Sequence, residues 1–541
     1  MGVVRGGRLL ARTLKEHGVS CIFSLSGDLI NALYDACLDE GIRIVDFRHE
    51  QAAVHAAEGW ARCMGEPGVA AVTGGPGVTN TITGLANALH GGSPLLLIAG
   101  RRPLSETDLG SFGEQDALAM VSPVTKWSRT VFESCRVPEY VRQALNRARS
   151  GRPGPVFLEI PVDILEQELR YPVASSPLRL ARPQGDPKLV EAASGLLRKA
   201  KRPMVLAGSG VWWSGACGEL QQFIEETQMP LCTAHMGRGA LPDDHPLCLG
   251  AFKGGLAEAD AVLVLGTRLN WTLDFGRLIH PRAKVIQVDI EESEIGRSRP
   301  VTVGIAGDLA LVLAQLLGAL GRRRARPAWL RRLHDLRAAF LLEFEGVAGS
   351  EAVPVHPLRL CQDLARFMGR DFTLALDGGE TKIWAAMALR AYQPGHWLDS
   401  GAFGAVGAGL PFALGAKLAR PQDRVVLLTG DGSFGFSAME MDTAVRQGLP
   451  VVTVIANDGA WGMIKHMQED AFGPGRAVGT DLGWVRYDRM AEALGGHGEF
   501  VEKPEDIAPA LDRAFTSGRP AVVNVKCDPD VKSPYGKRFL A

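Results

Sequence analysis

The sequence predicts an α/β protein made of three doubly wound domains, each with a parallel sheet. Three observations carry this. The chain has 541 residues, beyond the roughly 250–300 at which a single core stops growing. Short continuous apolar runs recur along it, each closed by Gly or Asp and separated by amphipathic stretches, as expected of strands covered on both faces by crossover helices. Two stretches of different texture interrupt the alternation: the Pro-rich YPVASSPLRLARPQGDP (171–187), and the segment from GRRRARP (321–327) to GSEAVPVHP (349–357). The domains expected around them are 1–175, 188–325 and 350–541. The Arg cluster in the second separator reads as a solvated linker or helix face.

In the first block IRIVDF (42–47) leads into the helical EQAAVHAAEGWARCM (50–64). The strand GVAAVT (68–73), a Gly turn, a helix near 78–90 and the strand PLLLIAG (94–100) follow. The middle block offers PMVLAGSG (203–210), ADAVLVLG (259–266) and KVIQVDI (284–290) as strands. The last offers FTLALDGG (372–379), RVVLLTGDG (424–432), LPVVTVIANDG (449–459) and AVVNVKCD (521–528), with the helix SAMEMDTAVRQG (437–448) between the second and third.

Composition excludes several classes. A hydrophobic fraction of 46% and a charged fraction of 22% are those of a globular chain, not a disordered or fibrous one. With 59 basic and 60 acidic residues, no global field recruits nucleic acid or an anionic membrane. No run approaches the ~20 apolar residues of a membrane span, and charge interrupts the opening MGVVRGGRLLARTLKEHGVS too early for a signal peptide. The nine cysteines contain no C-x-x-C pair, which reads as reduced thiols in a cytoplasmic protein.

The strongest chemical pattern lies in the last block. Asp431 follows the end of one strand, and Asn457, Asp458 and Gly459 follow the next. A strand–helix–strand crossover makes Asp431 and Asn457 neighbours at the carboxyl edge, where open α/β sheets bind ligands. A carboxylate and an amide oxygen suit Mg²⁺ shared with a phosphate group. The Gly432 and Ser433 N–H groups can face that phosphate. The plainer reading is that both D-G pairs are only turn formers.

GDGSFGFSAMEMDTAVRQGLPVVTVIANDG (430–459) resembles the signature of thiamine diphosphate-dependent enzymes, opening at Gly430. The resemblance implies that Asp431, Asn457 and the Gly459 carbonyl hold Mg²⁺ against the cofactor diphosphate, with Ala456 where many relatives have a first Asn. RHEQAAVHAAEGWAR (48–62) resembles a second signature, in which Glu50 pairs with N1′ of the aminopyrimidine. That bond favours the imino tautomer, whose nitrogen takes the proton from thiazolium C2. On composition alone Glu50 is an acid complementing a helix dipole. GGPGVTNTITGLANAL (74–89) fits the turn and helix that follow, and GAFGAVGAGLPFALGA (401–416) fits the wedge segment, with Val406 as wedge and Gly404 beside it. Gly379 and Glu380 of GGETK and Met463 of WGMIKHMQE complete the implied cofactor contacts. The resemblance also implies a homodimer or homotetramer with the cofactor at a subunit interface.

Two subfamilies are represented. TKWSR (125–129) and WGMIKHMQE (461–469) look like acetolactate synthases. ADAVLVLGTRLNWTLDFG (259–276) and GDGSFGFSAMEMDT (430–443) look more like 2-hydroxyacyl-CoA lyases and oxalyl-CoA decarboxylases. In the latter the counterpart of Arg268 contacts an adenine nucleotide, and Arg152 and Asp289 match further nucleotide contacts, whereas Ser209 replaces a lysine of the decarboxylases. Gly208 and Gly210 lack the third glycine of a dinucleotide fingerprint, Trp213 standing there, so NAD is not expected. RLNWT replaces the R-F-D-D-R of flavin-containing synthases, so FAD is not expected either. In the pocket, Asp28 of SGDL is a candidate proton relay. Phe112-Gly113-Glu114 stands where relatives have F-Q-E, leaving Glu114 as a candidate acid and Phe112 as a substrate contact in an enlarged pocket. The tail SPYGKRFLA (533–541) is either a lid bringing Lys537 and Arg538 to phosphates or a frayed end. The leading expectation is cleavage of a 2-hydroxyacyl-CoA to an aldehyde or ketone plus formyl-CoA. The alternative is an acetolactate synthase-like carboligase that decarboxylates a 2-keto acid, and the third reading is a non-catalytic scaffold.

Overall fold

A computed structural model describes residues 3–170, 181–322 and 325–534. The expected tail contacts of Lys537 and Arg538 lie outside the described residues, as do positions 171–180 of the first separator. The chain divides into two compact units: residues 1–180 with 403–421 and 437–449, and residues 181–402 with 422–436 and 450–541.

The first unit holds six parallel strands: β1 (Cys21–Ser24), β2 (Arg43–Asp46), β3 (Gly68–Val72), β4 (Leu95–Arg101), β5 (Trp127–Thr130) and β6 (Pro155–Pro161). Their order across the sheet is β2-β1-β3-β4-β6-β5. Strands β3 and β6 are buried along their whole length, which accounts for their unbroken apolar runs. A separate ribbon pairs Val3–Arg5 antiparallel with Glu168–Arg170.

The helix α1 (Glu50–Met64) starts where the His49 side chain accepts the Gln51 N–H and stops at Gly65, in left-handed conformation with φ +73°. Its buried face is rich in Ala and Gly because α2 (Gly409–Ala419) lies against it. A Cβ on Gly415 would fall 2.1 Å from the Ala56 carbonyl oxygen, and one on Gly59 2.7 Å from the Phe412 Cα. Beside this contact Glu58 accepts from Arg62 at 2.7 Å, Asn87 at 2.8 Å and Ser93 at 2.9 Å, all buried. Burial alone would raise the Glu58 carboxyl, but Arg62, with His55 and Asn87, holds it down at about 2. The helix α3 (Glu440–Gln447) also belongs to this unit.

The second unit contains two parallel sheets. One comprises β7 (Pro203–Ala207), β8 (Leu231–Thr233), β9 (Ala261–Leu265), β10 (Lys284–Asp289) and β11 (Val303–Ala306), in the order β8-β7-β9-β10-β11. The other comprises β12 (Phe372–Leu376), β13 (Trp397–Asp399), β14 (Arg424–Gly430), β15 (Val452–Asn457), β16 (His497–Val501) and β17 (Ala521–Lys526), in the order β13-β12-β14-β15-β17-β16. Three parallel sheets are thus present, as the apolar runs predict. The helix expected over 437–448 is α3, and a separate short helix, Asp431–Ser437, precedes it and begins at the functional turn itself. The helix α4 (Gly462–Phe472) follows β15.

Candidate active site

Strand β12 ends at Asp377, Gly378 and Gly379, β14 at Gly430 and Asp431, and β15 at Asn457 and Asp458. Parallel pairing therefore brings three turns to one edge of the sheet, the edge where such sheets take ligands. Close approach demands glycine at two of them. A Cβ on Gly379 would lie 2.6 Å from the Met463 sulfur, and one on Gly432 2.7 Å from the Trp461 ring. Asp431, Gly432 and Ser433 form the first turn of the helix Asp431–Ser437, where backbone N–H groups lack intrahelical partners.

Asp431 is 2% exposed, and its carboxyl shares a hydrogen bond with that of Asp458. Burial, then the neighbouring Asp458, push Asp431 up to about 8, and burial raises Asp458 as well. Two carboxyls held together out of water are relieved by a divalent cation in place of the shared proton. Among the described residues no three His, Cys, Asp or Glu side chains cluster as a metal cage; two carboxylates supply part of an octahedral oxygen shell of the kind Mg²⁺ shares with a diphosphate. The donor set fits Mg²⁺.

Asn457 points elsewhere. Its Nδ2 donates to the Val485 carbonyl and to Asn524 Oδ1, each at 3.0 Å, and its Oδ1 accepts the Gly459 N–H at 3.0 Å. The Gly459 carbonyl accepts the N–H groups of Leu482 at 2.8 Å and Gly483 at 2.9 Å. The expectation that Asn457 and the Gly459 carbonyl stand beside Asp431 is thereby corrected. Successive residues of a strand end face opposite ways, and the one facing Asp431 is Asp458, which sequence reasoning passed over as half of a turn.

Glu380 opens the helix Glu380–Ala388 and is turned toward the C-terminal segment. It accepts from His466 Nδ1 at 3.1 Å and from the Ser533 N–H and hydroxyl at 3.2 Å each. His466 Nε2 faces the Pro529 carbonyl at 3.0 Å. With an acceptor against each ring nitrogen the imidazole carries both protons, and Glu380 holds its pKa above the ordinary value, against burial. Lys465 adds a bond to Asp530 at 3.1 Å, so α4 grips residues 529–533 along one face.

In the first unit Glu50 is 6% exposed at the start of α1, and its Oε2 accepts from Asn80 Nδ2 at 3.0 Å. The Arg48 N–H just ahead of it donates to both oxygens of Glu440 at 3.2 Å. Asp28 is half-exposed, ion-paired with Arg102 at 3.2 Å and reached by the Thr73 hydroxyl at 3.4 Å. Arg102 in turn lies over the exposed Phe112 ring, 5.7 Å from its centroid. Glu114 turns back into its own loop, accepting the N–H groups of Asp108, Gly110 and Ser111, and the Asp108 bond leads in lowering its pKa. Gly113 adopts φ +73° beside Gly75, where a Cβ on Gly75 would lie 2.9 Å from the Gly113 Cα. Gln115 beside it donates to the Gly75 carbonyl at 2.8 Å. Val406 is half-buried and Gly404 exposed, with φ +72°, in the turn preceding α2.

Arg268 and Asp289 follow or end the adjacent parallel strands β9 and β10 and share one edge of the central sheet. Asp289 Oδ1 accepts the Glu291 N–H at 3.0 Å. The G-S-G turn cradles protein: a Cβ on Gly208 would meet Thr267 at 2.2 Å, and one on Gly210 would meet Gly266 at 2.7 Å. Arg152 donates to the Leu89 and His90 carbonyls at 2.9 Å, an interaction that closes the end of the helix Ile82–Gly91. No helix among the described residues is long and apolar enough to cross a membrane.

The whole chain is similar to known proteins. Residues 4–120 match the thiamine pyrophosphate enzyme N-terminal TPP binding domain, 190–316 the central domain and 377–525 the C-terminal TPP binding domain. The acetolactate synthase large subunit IlvG of Mycobacterium tuberculosis is 40% identical over 98% of this chain and 97% of its own. A probable acetolactate synthase large subunit of Methanocaldococcus jannaschii is 32% identical, covering 97% and 92%. The 2-hydroxyacyl-CoA lyase 2 of Homo sapiens is 33% identical, covering 97% and 90%. With Glu50 at the head of α1 and Asp431 at the end of β14, the chain belongs to the thiamine pyrophosphate enzymes and is a carbon–carbon bond enzyme of that family.

Proposed function

We propose that this enzyme is an acetolactate synthase-like carboligase, which decarboxylates pyruvate or another 2-keto acid and joins the remaining fragment to a second carbonyl compound. One observation carries the reading: near-full-length identity is 40% to an acetolactate synthase subunit and 33% to a 2-hydroxyacyl-CoA lyase. When bound, thiamine diphosphate supplies the nucleophilic carbon and the electron sink. Glu50, held by Asn80, is the acid that pairs with the aminopyrimidine. Asp431 and Asp458 hold Mg²⁺, with Asp458 taking the place first given to Asn457 and the Gly459 carbonyl. The Gly432 and Ser433 amides receive the diphosphate, and Gly430, Gly379, Glu380 and Met463 shape its turn. Val406 and Gly404 provide the wedge. Asp28, fixed by Arg102, is stationed to pass a proton, whereas Glu114 holds the loop that presents Phe112. The enzyme works in the cytoplasm as a homodimer or homotetramer with the cofactor between subunits.

A second reading, 2-hydroxyacyl-CoA cleavage, is favoured by the R-L-N-W segment at Arg268, which lies with Asp289 on the ligand-binding edge of the central sheet. Purified enzyme is to be offered pyruvate and, separately, a 2-hydroxyacyl-CoA, with products identified by mass spectrometry. Carbon dioxide with a hydroxy-keto acid from pyruvate is the expected result. Formyl-CoA from the thioester, with pyruvate untouched, replaces the first reading by the second, and Arg268→Ala then raises KM for the thioester.

A further inference from the structure

We infer that Glu440 is a positioning residue for Glu50, setting the backbone that aims the Glu50 carboxyl at the cofactor. This rests on the reading of Glu50 as the activating acid. Glu440 is the first residue of α3 and is 2% exposed. Both of its oxygens lie 3.2 Å from the Arg48 nitrogen, which donates to them, and the Thr443 hydroxyl donates to Oε2 at 2.5 Å. The Arg48 N–H, two residues before Glu50, therefore ends on both oxygens of one buried carboxyl. Removing that acceptor strands it where water cannot replace the carboxyl, the costly kind of loss. At its other end Glu50 is held by Asn80 at 3.0 Å. The acid is thus fixed at both backbone and carboxyl.

The rest of α3 holds the same turn. Arg43 donates to the Gln447 carbonyl at 3.1 Å and to its side chain at 3.0 Å. Arg446 donates to the Asp46 carbonyl at 3.1 Å, and the Arg48 guanidinium lies 3.6 Å from Asp442. These outer contacts are solvent-exposed, and such contacts contribute little individually. Glu440 is the buried member, and burial pushes its carboxyl up to about 7, so its place is maintained by its donors and not by solvation.

The test compares Glu440→Ala, Glu440→Gln and Glu50→Gln with the parent enzyme. In cofactor-free protein, amide hydrogen exchange of a peptide spanning residues 43–51 is read by mass spectrometry. With cofactor and Mg²⁺ added, cofactor affinity and the H/D exchange rate at cofactor C2 are read separately. Glu440→Ala is expected to speed amide exchange about tenfold, the equivalent of one net hydrogen bond. It should leave cofactor affinity within about threefold and slow C2 exchange by about 10–100-fold, as small misplacements of a catalytic group do. Glu440→Gln keeps one acceptor oxygen and is expected to restore most of both rates; it also reports alone if the alanine variant does not fold. Unchanged amide and C2 exchange in both variants, with C2 exchange slowed in Glu50→Gln, overturns the role of Glu440 alone. Unchanged C2 exchange in Glu50→Gln overturns the reading of Glu50, and this inference with it.

Discussion

Replacing Gly415 by alanine tests whether the contact between α1 and α2 fixes the catalytic geometry. The added methyl would sit 2.1 Å from the Ala56 carbonyl oxygen and 2.9 Å from the Trp60 nitrogen, both backbone atoms that cannot rotate away. Ordinary contact begins near 3.4 Å, so the helices must part by about 1.3 Å or tilt, at the roughly 1–3 kcal/mol typical of overpacking. The functional cost is larger than the stability cost. Glu50 begins α1, so the same displacement is imposed on the carboxyl proposed to pair with the cofactor. A shift of about 1 Å in a positioned group lowers turnover on the order of 100-fold. The assay is kcat at saturating cofactor and substrate, alongside the urea midpoint. As a control, Gly318→Ala in the helix Leu309–Leu320 meets nothing within 4 Å and is expected to stabilise by about 1 kcal/mol with activity unchanged. If Gly415→Ala matches the parent in both kcat and midpoint, the helix contact does not set the geometry and the reasoning fails.

Asp458→Ala is expected to abolish retention of Mg²⁺ and thiamine diphosphate. Asn457→Ala should keep both while losing stability, because it gives up three buried bonds. Calorimetric titration with each ligand separates the two, and the reverse pattern restores Asn457 as the ligand. Glu58→Gln leaves Arg62 buried without its counter-charge and is expected to cost about 3–5 kcal/mol in urea unfolding. In the parent, Glu58 is depressed to about 2 from 4.5, so its contribution is full above pH 4.5 and is lost as pH falls toward 2; the variant lacks that part of the acid slope. His466 is raised by Glu380, so its contribution is full below pH 6.5 and is lost as pH rises through its folded value. Amide exchange of residues 529–533 should therefore quicken at alkaline pH in the parent, while His466→Gln exchanges quickly at every pH.

The strands nearest the chemistry were legible because they are buried on both faces and carry unbroken apolar runs ending in Gly or Asp, as β14 and β15 do. Strands such as β5, with the sequence WSRT, and β13 and β16 present mixed or partial faces, and β8 is only three residues long; none carries a comparable signal. Glu50 and Asp431 could be named from their motifs, since each stands at the first position of a helix after a strand. The choice between Asn457 and Asp458 could not, because a step of one residue reverses a side chain at a strand end and both letters suit a turn.

The chain leaves and re-enters its first compact unit several times, since residues 403–421 and 437–449 are embedded in the last third of the sequence. The units are therefore interlaced along the polypeptide and are not beads on a string. A fragment ending near residue 180 would keep Glu50 but would bare the alanine and glycine strip of α1 that α2 covers, and would leave the Arg48 amide without Glu440. Recombination at the Pro-rich separator is consequently closed to this architecture: a foreign C-terminal half would have to bring not only a matching surface but two helices shaped for the first half's core. Domain shuffling in such a protein is confined to the central sheet, whose strands run uninterrupted from β7 to β11.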